Sequence, residues 1–290
     1  MIIAIVGPTA SHKSDLADKL SVIFDSDIIN FDAFQVYKEL NVGSAKPSKE
    51  VLKDKKYKLY DFVSINEDYD VSKYQIDGRN ALKEKGNHIL VGGTGLYLKA
   101  CLFDYKFLEE DPMPNDFLCD LNNQKLYEML YEIDKDDALK IGNNNRKRLL
   151  RALYIYKIHG KNKSELNNNG KDKLLYDNVI FIGLNPLREE LYKNIDNRVD
   201  KMFELGLKDE VNYLFANFDK TRRGLQAIGY KEFDNDLPIE EIKELIKKNT
   251  RNYAKRQLTF FKHQFNINYW FTSVDEAVKY IQEHIDEFNK

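Results

Sequence analysis

Gly7-Pro8-Thr9-Ala10-Ser11-His12-Lys13-Ser14 stands between an apolar run, Met1 to Val6, and a segment in which Leu16, Ala17, Leu20, Ile23 and Phe24 recur at helical spacing. Strand, turn with Lys-Ser, and helix in that order define a phosphate-binding loop. Its backbone N–H groups and the positive end of the helix can surround a diphosphate, Lys13 can neutralise it, and the Ser14 hydroxyl can hold Mg²⁺. One position departs from the pattern: His12 stands where glycine is expected. A Cβ there would press on the phosphate or open the loop, so restoring glycine is expected to tighten diphosphate binding. The alternative is an ordinary strand-to-helix turn with a stray lysine.

In open parallel sheets ligands bind outside the carboxyl ends of the strands, so the residues that follow the other strand-like runs matter next. Asp27 to Phe31 delivers Asp32; His88 to Val91 delivers Gly92-Gly93-Thr94-Gly95, two glycines that allow close backbone approach and then a hydroxyl. Asp32 reads as a general base or metal ligand, or else as a helix N-cap, and Thr94 has the same capping alternative. A motor-type NTPase also needs an apolar strand ending in an aspartate that supports Mg²⁺. The runs at Ile89 to Val91 and Val179 to Leu184 end in Gly-Gly-Thr and Asn-Pro, which leaves only Asp32 for that role. That argues against a motor and leaves a small-molecule kinase, with Asp32 as its base, open.

These residues must be carried by alternating strands and helices, so the expected fold is α/β: a P-loop NTPase-like parallel sheet with helices on both faces. Residues 113–168 lack a strand signal and read as a helical insertion, ending in the polar run Asn167 to Gly170, a flexible return to the core formed by 1–112 and 169–290. Asn185 and Pro186 read as the cap and first turn of a helix with a stripe at Leu187, Leu191, Ile195, Val199 and Phe203. Gly206 interrupts it, and a last long helix runs from Pro238 through Phe265.

The 290 residues carry 45 Lys plus Arg against 47 Asp plus Glu, a net charge of −2 that hides strong segregation. Residues 146–163 hold seven cations and no acid, residues 247–263 hold six and no acid, and residues 106–137 hold ten acids against three lysines. Such basic segments fit RNA phosphate, with Arg251, Lys255 and Arg256 on one helix beside Tyr253 and Gln257. No run approaches a membrane span and the N-terminus opens directly on a strand, so a cytoplasmic, non-membrane protein is expected. Cys101 and Cys119 read as reduced packing residues.

Taken in order, GPTAS.KS at 7–14, D..QVY at 32–37, VGSAKP at 42–47, VGGTGLYLKA at 91–100, R.LLRAL at 148–153 with the preceding Arg146, R..LY..I..RVD.M at 188–202, GLQAIGYKE at 224–232 and R.YAKRQLTFF at 251–261 cover nearly the whole chain. This set resembles the bacterial tRNA dimethylallyltransferase family, whose members prenylate N6 of adenosine 37 beside the anticodon. The resemblance implies a phosphate loop turned from nucleotide hydrolysis to holding dimethylallyl diphosphate with Mg²⁺. Gly7, Pro8, Thr9, Ala10, Ser11, His12, Lys13 and Ser14 would form the diphosphate site, Asp32 would be the base, and Thr94 would support the leaving group. Asp32, Ala33, Phe34 and Gln35 would contact the tRNA anticodon loop, as would Lys147, Arg148 and Arg151 in the insertion. A monomer is also implied.

The chain departs from the family's pattern at His12, at Ala33 in place of serine, at Tyr57-Lys58 in place of a His-His pair, near Phe117 in place of an arginine, and at Phe260 in place of tryptophan. Two readings stand beside transfer. A kinase would release ADP without tRNA; a degenerate paralogue, favoured by His12 and Ala33, would shift tRNA in a gel and form no product.

Overall fold

The computed structural model describes residues 1–54, 56–107, 113–166 and 173–288. In chain order its elements are β1 (Ile2–Val6), α1 (Lys13–Ile23), β2 (Ser26–Asn30), β3 (Tyr57–Lys58), α2 (Val71–Ala81), β4 (Asn87–Val91), α3 (Gly95–Leu102), α4 (Asn123–Ile133), α5 (Lys135–Ile141), α6 (Arg146–His159), α7 (Lys163–Leu166), β5 (Val179–Leu184), α8 (Arg188–Glu204), α9 (Leu207–Asn217), α10 (Ile239–Gln264), β6 (Tyr269–Phe271), α11 (Val274–Glu283) and α12 (Ile285–Phe288). Two compact units result, Met1–Leu102 with Tyr176–Lys290, and Phe103–Leu175. The expected borders at 112/113 and 168/169, with the run Asn167 to Gly170, fall outside the described residues. The second unit begins earlier and ends later than expected because the two chain arms pair: Phe103 bridges Leu174 antiparallel and the Asp104 N–H donates to the Lys173 carbonyl at 2.9 Å.

In the first unit the described residues form a six-stranded sheet, all parallel, in the order β3-β2-β4-β1-β5-β6. β1 lies between β4 and β5, and all five of its residues are buried, which is why it reads as an unbroken apolar run. Ile3, Ile5, Ile28, Ile89, Val91, Ile182 and Leu184 pack from one sheet face against Leu16, Ala17 and Leu20 of α1 and Ala277 and Ile281 of α11. On the other face Ile2, Ala4, Val6 and Leu90 are buried as well, and Phe181 meets Phe265 at the end of α10. Helices therefore cover both faces.

One helix start differs from expectation. The Asn185 N–H donates to the Phe271 carbonyl at 2.8 Å and so prolongs the pairing of β5 with β6; α8 begins only at Arg188, with Leu187 at the cap position. Gly206 does break the helical run, at φ 90°, and α10 occupies its expected span. Cys101 is buried against Gly78, whereas Cys119 is exposed and not a packing residue. Among the described residues no helix is long and apolar enough to cross a membrane.

The second unit is helical. Leu126 and Leu130 of α4, Ala138 of α5, and Leu149, Ala152 and Leu153 of α6 form its core. Arg146 donates to the carbonyls of Leu118, Cys119 and Leu121, so this first cation of the basic segment is a structural clamp. Lys147, Arg148 and Arg151, at i, i+1 and i+4 on α6, are exposed.

Candidate active site

The adjacent strands β2, β4 and β1 deliver Asp32, Gly92-Gly93-Thr94 and the phosphate loop to the same edge of the sheet. Gly7 has φ 152°, and a Cβ on it would come within 2.4 Å of the Leu184 carbonyl, so glycine is required there. Ala10 and His12 both adopt left-handed backbone, at φ 61° and 62°. His12 thus takes the conformation that glycine takes elsewhere, at a cost of about 1–2 kcal/mol that histidine tolerates better than most residues. Its Nδ1 lies 2.8 Å from the Asp15 carboxylate, and more than half of its side chain is exposed. Because the ring is already turned onto Asp15, the expected obstruction of the loop is small. His12→Gly would relieve the backbone cost while losing a surface pair of about 0.2–1 kcal/mol and adding chain entropy. Titration with pyrophosphate should show affinities within about threefold of each other; a gain beyond tenfold would mean that the imidazole does occupy the anion's place.

Lys13 folds back over the loop, donating to the Pro8 carbonyl at 2.6 Å. Burial pushes its ammonium down to about 7, the neighbouring Arg198 guanidinium pushes the same way, and the Asp32 carboxylate opposes them. The Ser11 hydroxyl is buried and has no hydrogen-bond partner among the described residues. The N–H groups of the first turn of α1 have no intrahelical partner and sit beside it.

Thr9 to Asp15 line a cavity of about 430 Å³ together with Asp32, Gln35, Gly93 and Arg198. Gly7 and Pro8 do not line it; they shape the loop from behind. A second cavity of about 250 Å³ has Phe34, Val199, Met202, Ile228 and Ile246 on its apolar wall. Thr9, Asp32, Arg198 and Tyr253 line both cavities, so a carboxylate stands where the phosphate-loop cavity meets one that has an apolar wall.

No helix starts at Asp32, which removes the capping alternative: its Oδ1 accepts from the Phe34 N–H at 2.9 Å within a turn. Thr94 lines neither cavity. Its carbonyl accepts the first bond of α3, from Leu98, while its hydroxyl accepts from the Ala33 N–H at 3.0 Å. The threonine therefore fixes the turn that carries Asp32, and Ala33 contributes through its backbone alone. Gln35 faces the first cavity and donates to the Ser44 carbonyl at 3.2 Å.

Arg198 stands outside the expected set, and Tyr253 and Gln257, expected only as neighbours of the basic run, belong to the site. Arg198 is in contact with both cavities, with burial lowering its pKa and Asp32 raising it. Tyr253 and Gln257 reach in from α10: the Gln257 Oε1 accepts from the Thr9 N–H at 2.8 Å and its Nε2 donates to the Gly93 carbonyl at 2.9 Å. A signal for Arg198 was present, since Asn194, Asn197, Arg198 and Lys201 form a polar stripe at i, i+3, i+4 and i+7 of α8, and all of them line the first cavity.

The basic run on α10 divides. Arg251 is paired with Asp196, and Lys247 with Asp200 at 2.9 Å, acids supplied by α8 and not by the run itself. Lys255 is exposed beside the Tyr192 hydroxyl. Of the three cations singled out, Arg256 alone lines a cavity, with its guanidinium 5.7 Å from the Tyr253 ring centre. The other departures have structural partners: Tyr57 donates to Asp18, Lys58 pairs with Asp27 and Glu84, and Phe260 lies against Gly95. In the second unit Phe117 meets the Tyr154 ring.

A parallel sheet with a phosphate loop on its central strand, and with a carboxylate and a Gly-Gly-Thr turn on the neighbouring strand ends, defines the phosphate-loop class of α/β proteins, consistent with a P-loop NTPase-like fold. The family model described as IPP transferase matches residues 35–264. The tRNA dimethylallyltransferase of Anoxybacillus flavithermus is 37% identical over 96% of this chain and 92% of its own, and that of Lactobacillus acidophilus 38% identical over 95% and 94%. The crystal structure of tRNA delta(2)-isopentenylpyrophosphate transferase from Staphylococcus epidermidis superimposes with a TM-score of 0.71 at 32% identity, covering 99% of this chain and 98% of that one. A eukaryotic dimethylallyltransferase acting on tRNA gives a TM-score of 0.80 at 27% identity, over 99% of this chain and 79% of that one. The chain belongs to the IPP transferase family.

Proposed function

We propose that this protein transfers a dimethylallyl group from dimethylallyl diphosphate to N6 of adenosine 37 in the tRNA anticodon loop, acting as a cytoplasmic monomer. The observation that carries the reading is the position of Asp32, shared by the phosphate-loop cavity and the second cavity, one wall of which is apolar. The allylic C–O bond breaks, its electron pair leaving with the diphosphate, while the N6 lone pair forms the new C–N bond. Loop N–H groups, Lys13 and Arg198 stabilise negative charge that grows as the bond breaks, which is charge stabilised more in the transition state than before it. Asp32 accepts the N6 proton that attack releases. The target base is extruded from its stack to reach the carbon. Thr94 serves as a positioning residue for Asp32.

Among the described residues no three His, Cys, Asp or Glu side chains gather as a metal cage, while the Ser14 hydroxyl is exposed on the wall of the first cavity. That fits a divalent ion which takes most of its ligands from phosphate and water. Mg²⁺ held at Ser14 would supply further neutralisation of the leaving group.

For the RNA, Asp32, Phe34 and Gln35 act at the site, Lys255 and Arg256 on α10, and Lys147, Arg148 and Arg151 on α6. Among the described residues Lys147 and Arg148 have no acidic partner, and they occupy the first turn of a helix whose dipole already disfavours cations there. Phosphate would supply the anionic partner that they lack. Replacing Lys147, Arg148 and Arg151 together with Ala should lower tRNA affinity about tenfold or more near 0.1 M salt and reduce the slope of log affinity against log salt by about 2, with pyrophosphate affinity unchanged. A filter-binding salt titration reads both; an unchanged slope would remove this segment from the interface.

The activity itself is tested by incubating the protein with unmodified tRNA, Mg²⁺ and dimethylallyl diphosphate, then digesting the RNA and detecting N6-isopentenyladenosine by mass. Product above a Lys13→Ala control is expected. Bound tRNA without product would leave a degenerate RNA-binding protein instead.

A further inference from the structure

The three groups that the reaction needs, the leaving-group loop, the base and the turn behind it, come from three separate segments of the chain, and one side chain from a fourth touches two of them. Gln257 on α10 is buried, 5% exposed. Its carboxamide accepts from the backbone of the phosphate loop at Thr9 and donates to the backbone of the Gly92-Gly93-Thr94 turn at Gly93. Both bonds are to backbone, one partner being an N–H and the other a C=O, so they fix which end of the amide is which. Gly93 is matched to this arrangement: a Cβ there would come within 2.5 Å of the Gln257 Nε2 and 3.0 Å of the Asp32 Oδ2.

We infer that Gln257 is a positioning residue that sets the distance between the diphosphate loop and Asp32 by tying both to α10. This rests on the transferase reading. A carboxamide is the side chain that can accept from an N–H and donate to a carbonyl at once with this reach. Glutamate accepts at Thr9 but sets a carboxylate oxygen against the Gly93 carbonyl, and leucine serves neither. Gln257 touches no reacting atom; it acts through the loop and the turn. Arg256, one residue earlier, lines the second cavity, so an RNA held there sits on the same helix turn that holds the diphosphate loop.

The test compares Gln257→Leu and Gln257→Glu with wild type in steady-state transfer and in pyrophosphate binding. Misplacing reacting groups by about 1 Å costs about 100-fold, so Gln257→Leu should lower kcat by about that factor, with the KM for tRNA within about threefold and pyrophosphate binding weakened. Gln257→Glu supplies a readout that a merely structural role would not move. Burial and the nearby Asp32 favour the protonated carboxyl, which both accepts from Thr9 and donates to Gly93 as the amide does. Its activity relative to wild type should therefore rise as pH falls from about 8 to about 6. The ratio for Gln257→Leu should stay flat. Lys13, Asp32, Arg198 and Tyr253, which line the same cavity, and the neighbouring Arg256 titrate or carry charge in all three proteins, and the flat ratio of the neutral Gln257→Leu variant shows what they contribute without a carboxyl at 257. A kcat for Gln257→Leu within threefold of wild type overturns the inference, as does a flat ratio for Gln257→Glu. If Gln257→Leu does not fold, the Gln257→Glu ratio decides alone. A wild-type protein that makes no product overturns the transferase reading instead; pyrophosphate affinity then still tests the tie, and equal affinity in wild type and Gln257→Glu overturns it.

Discussion

Asp32→Asn is expected to lower kcat about 10²–10⁴-fold, the range that removal of a positioned general base produces, while tRNA affinity changes little. Asparagine is the more informative replacement because its side-chain oxygen can still accept from the Phe34 N–H, so the turn that bears residue 32 survives. Alanine would lose that bond together with the base. The substitution also removes the one carboxylate that raises the pKa of both Lys13 and Arg198. A pyrophosphate anion then meets less negative charge, and its binding should be equal or tighter. Slow transfer with tight pyrophosphate binding separates chemistry from binding. Turnover close to wild type would take the proton-accepting role away from Asp32.

Lys13→Ala should reduce kcat/KM by about 10³-fold, since one oxyanion donor is worth about 10²–10³ and this one carries full charge. Lysine 13 also has a signature in proton counts. Its ordinary value is 10.5 and burial and Arg198 lower it to about 7. Between those values the free protein holds the amine neutral, and an arriving diphosphate restores the charge by taking up a proton. Calorimetry in buffers of different ionisation enthalpy should find more proton uptake by wild type than by Lys13→Ala above about pH 7, the difference vanishing below it. The same shift links to folding. Across that window the unfolded chain keeps a proton that the folded chain has lost, so this group makes stability rise with pH, and the variant should lack that part of the slope. Equal proton uptake in both proteins would mean that Lys13 is already charged before the ligand arrives.

Four strands and the long C-terminal helix were legible because their signals are local: β1, β4 and β5 are apolar runs, β2 carries the pair Ile28-Ile29, and α10 keeps its periodicity over its whole length. β3 and β6 have two and three residues, too few to show a period, and exist because a neighbouring strand offers its edge. The loop, Asp32 and Thr94 could be named from their places after strands. What each does could not, because partners distant in sequence decide it: Thr94 bonds Ala33, and Thr9 bonds Gln257. The acidic partners of the basic run on α10 were hidden for the same reason. Counting acids within the segment misses Asp196 and Asp200 on α8, which engage Arg251 and Lys247 across the helix interface.

The bond from Thr9 to Gln257 spans 248 positions. Chains are made from the N-terminus at about 5–20 residues per second, so the phosphate loop leaves the ribosome well before its tether is made. Before that, β1 also lacks one of its two sheet neighbours, since β5 is made after residue 178. A growing chain, or one cut short by premature termination, therefore carries the loop motif without the assembled anion site. Such fragments should not sequester prenyl diphosphate, and ligand-assisted folding can begin only once synthesis has passed Gln257.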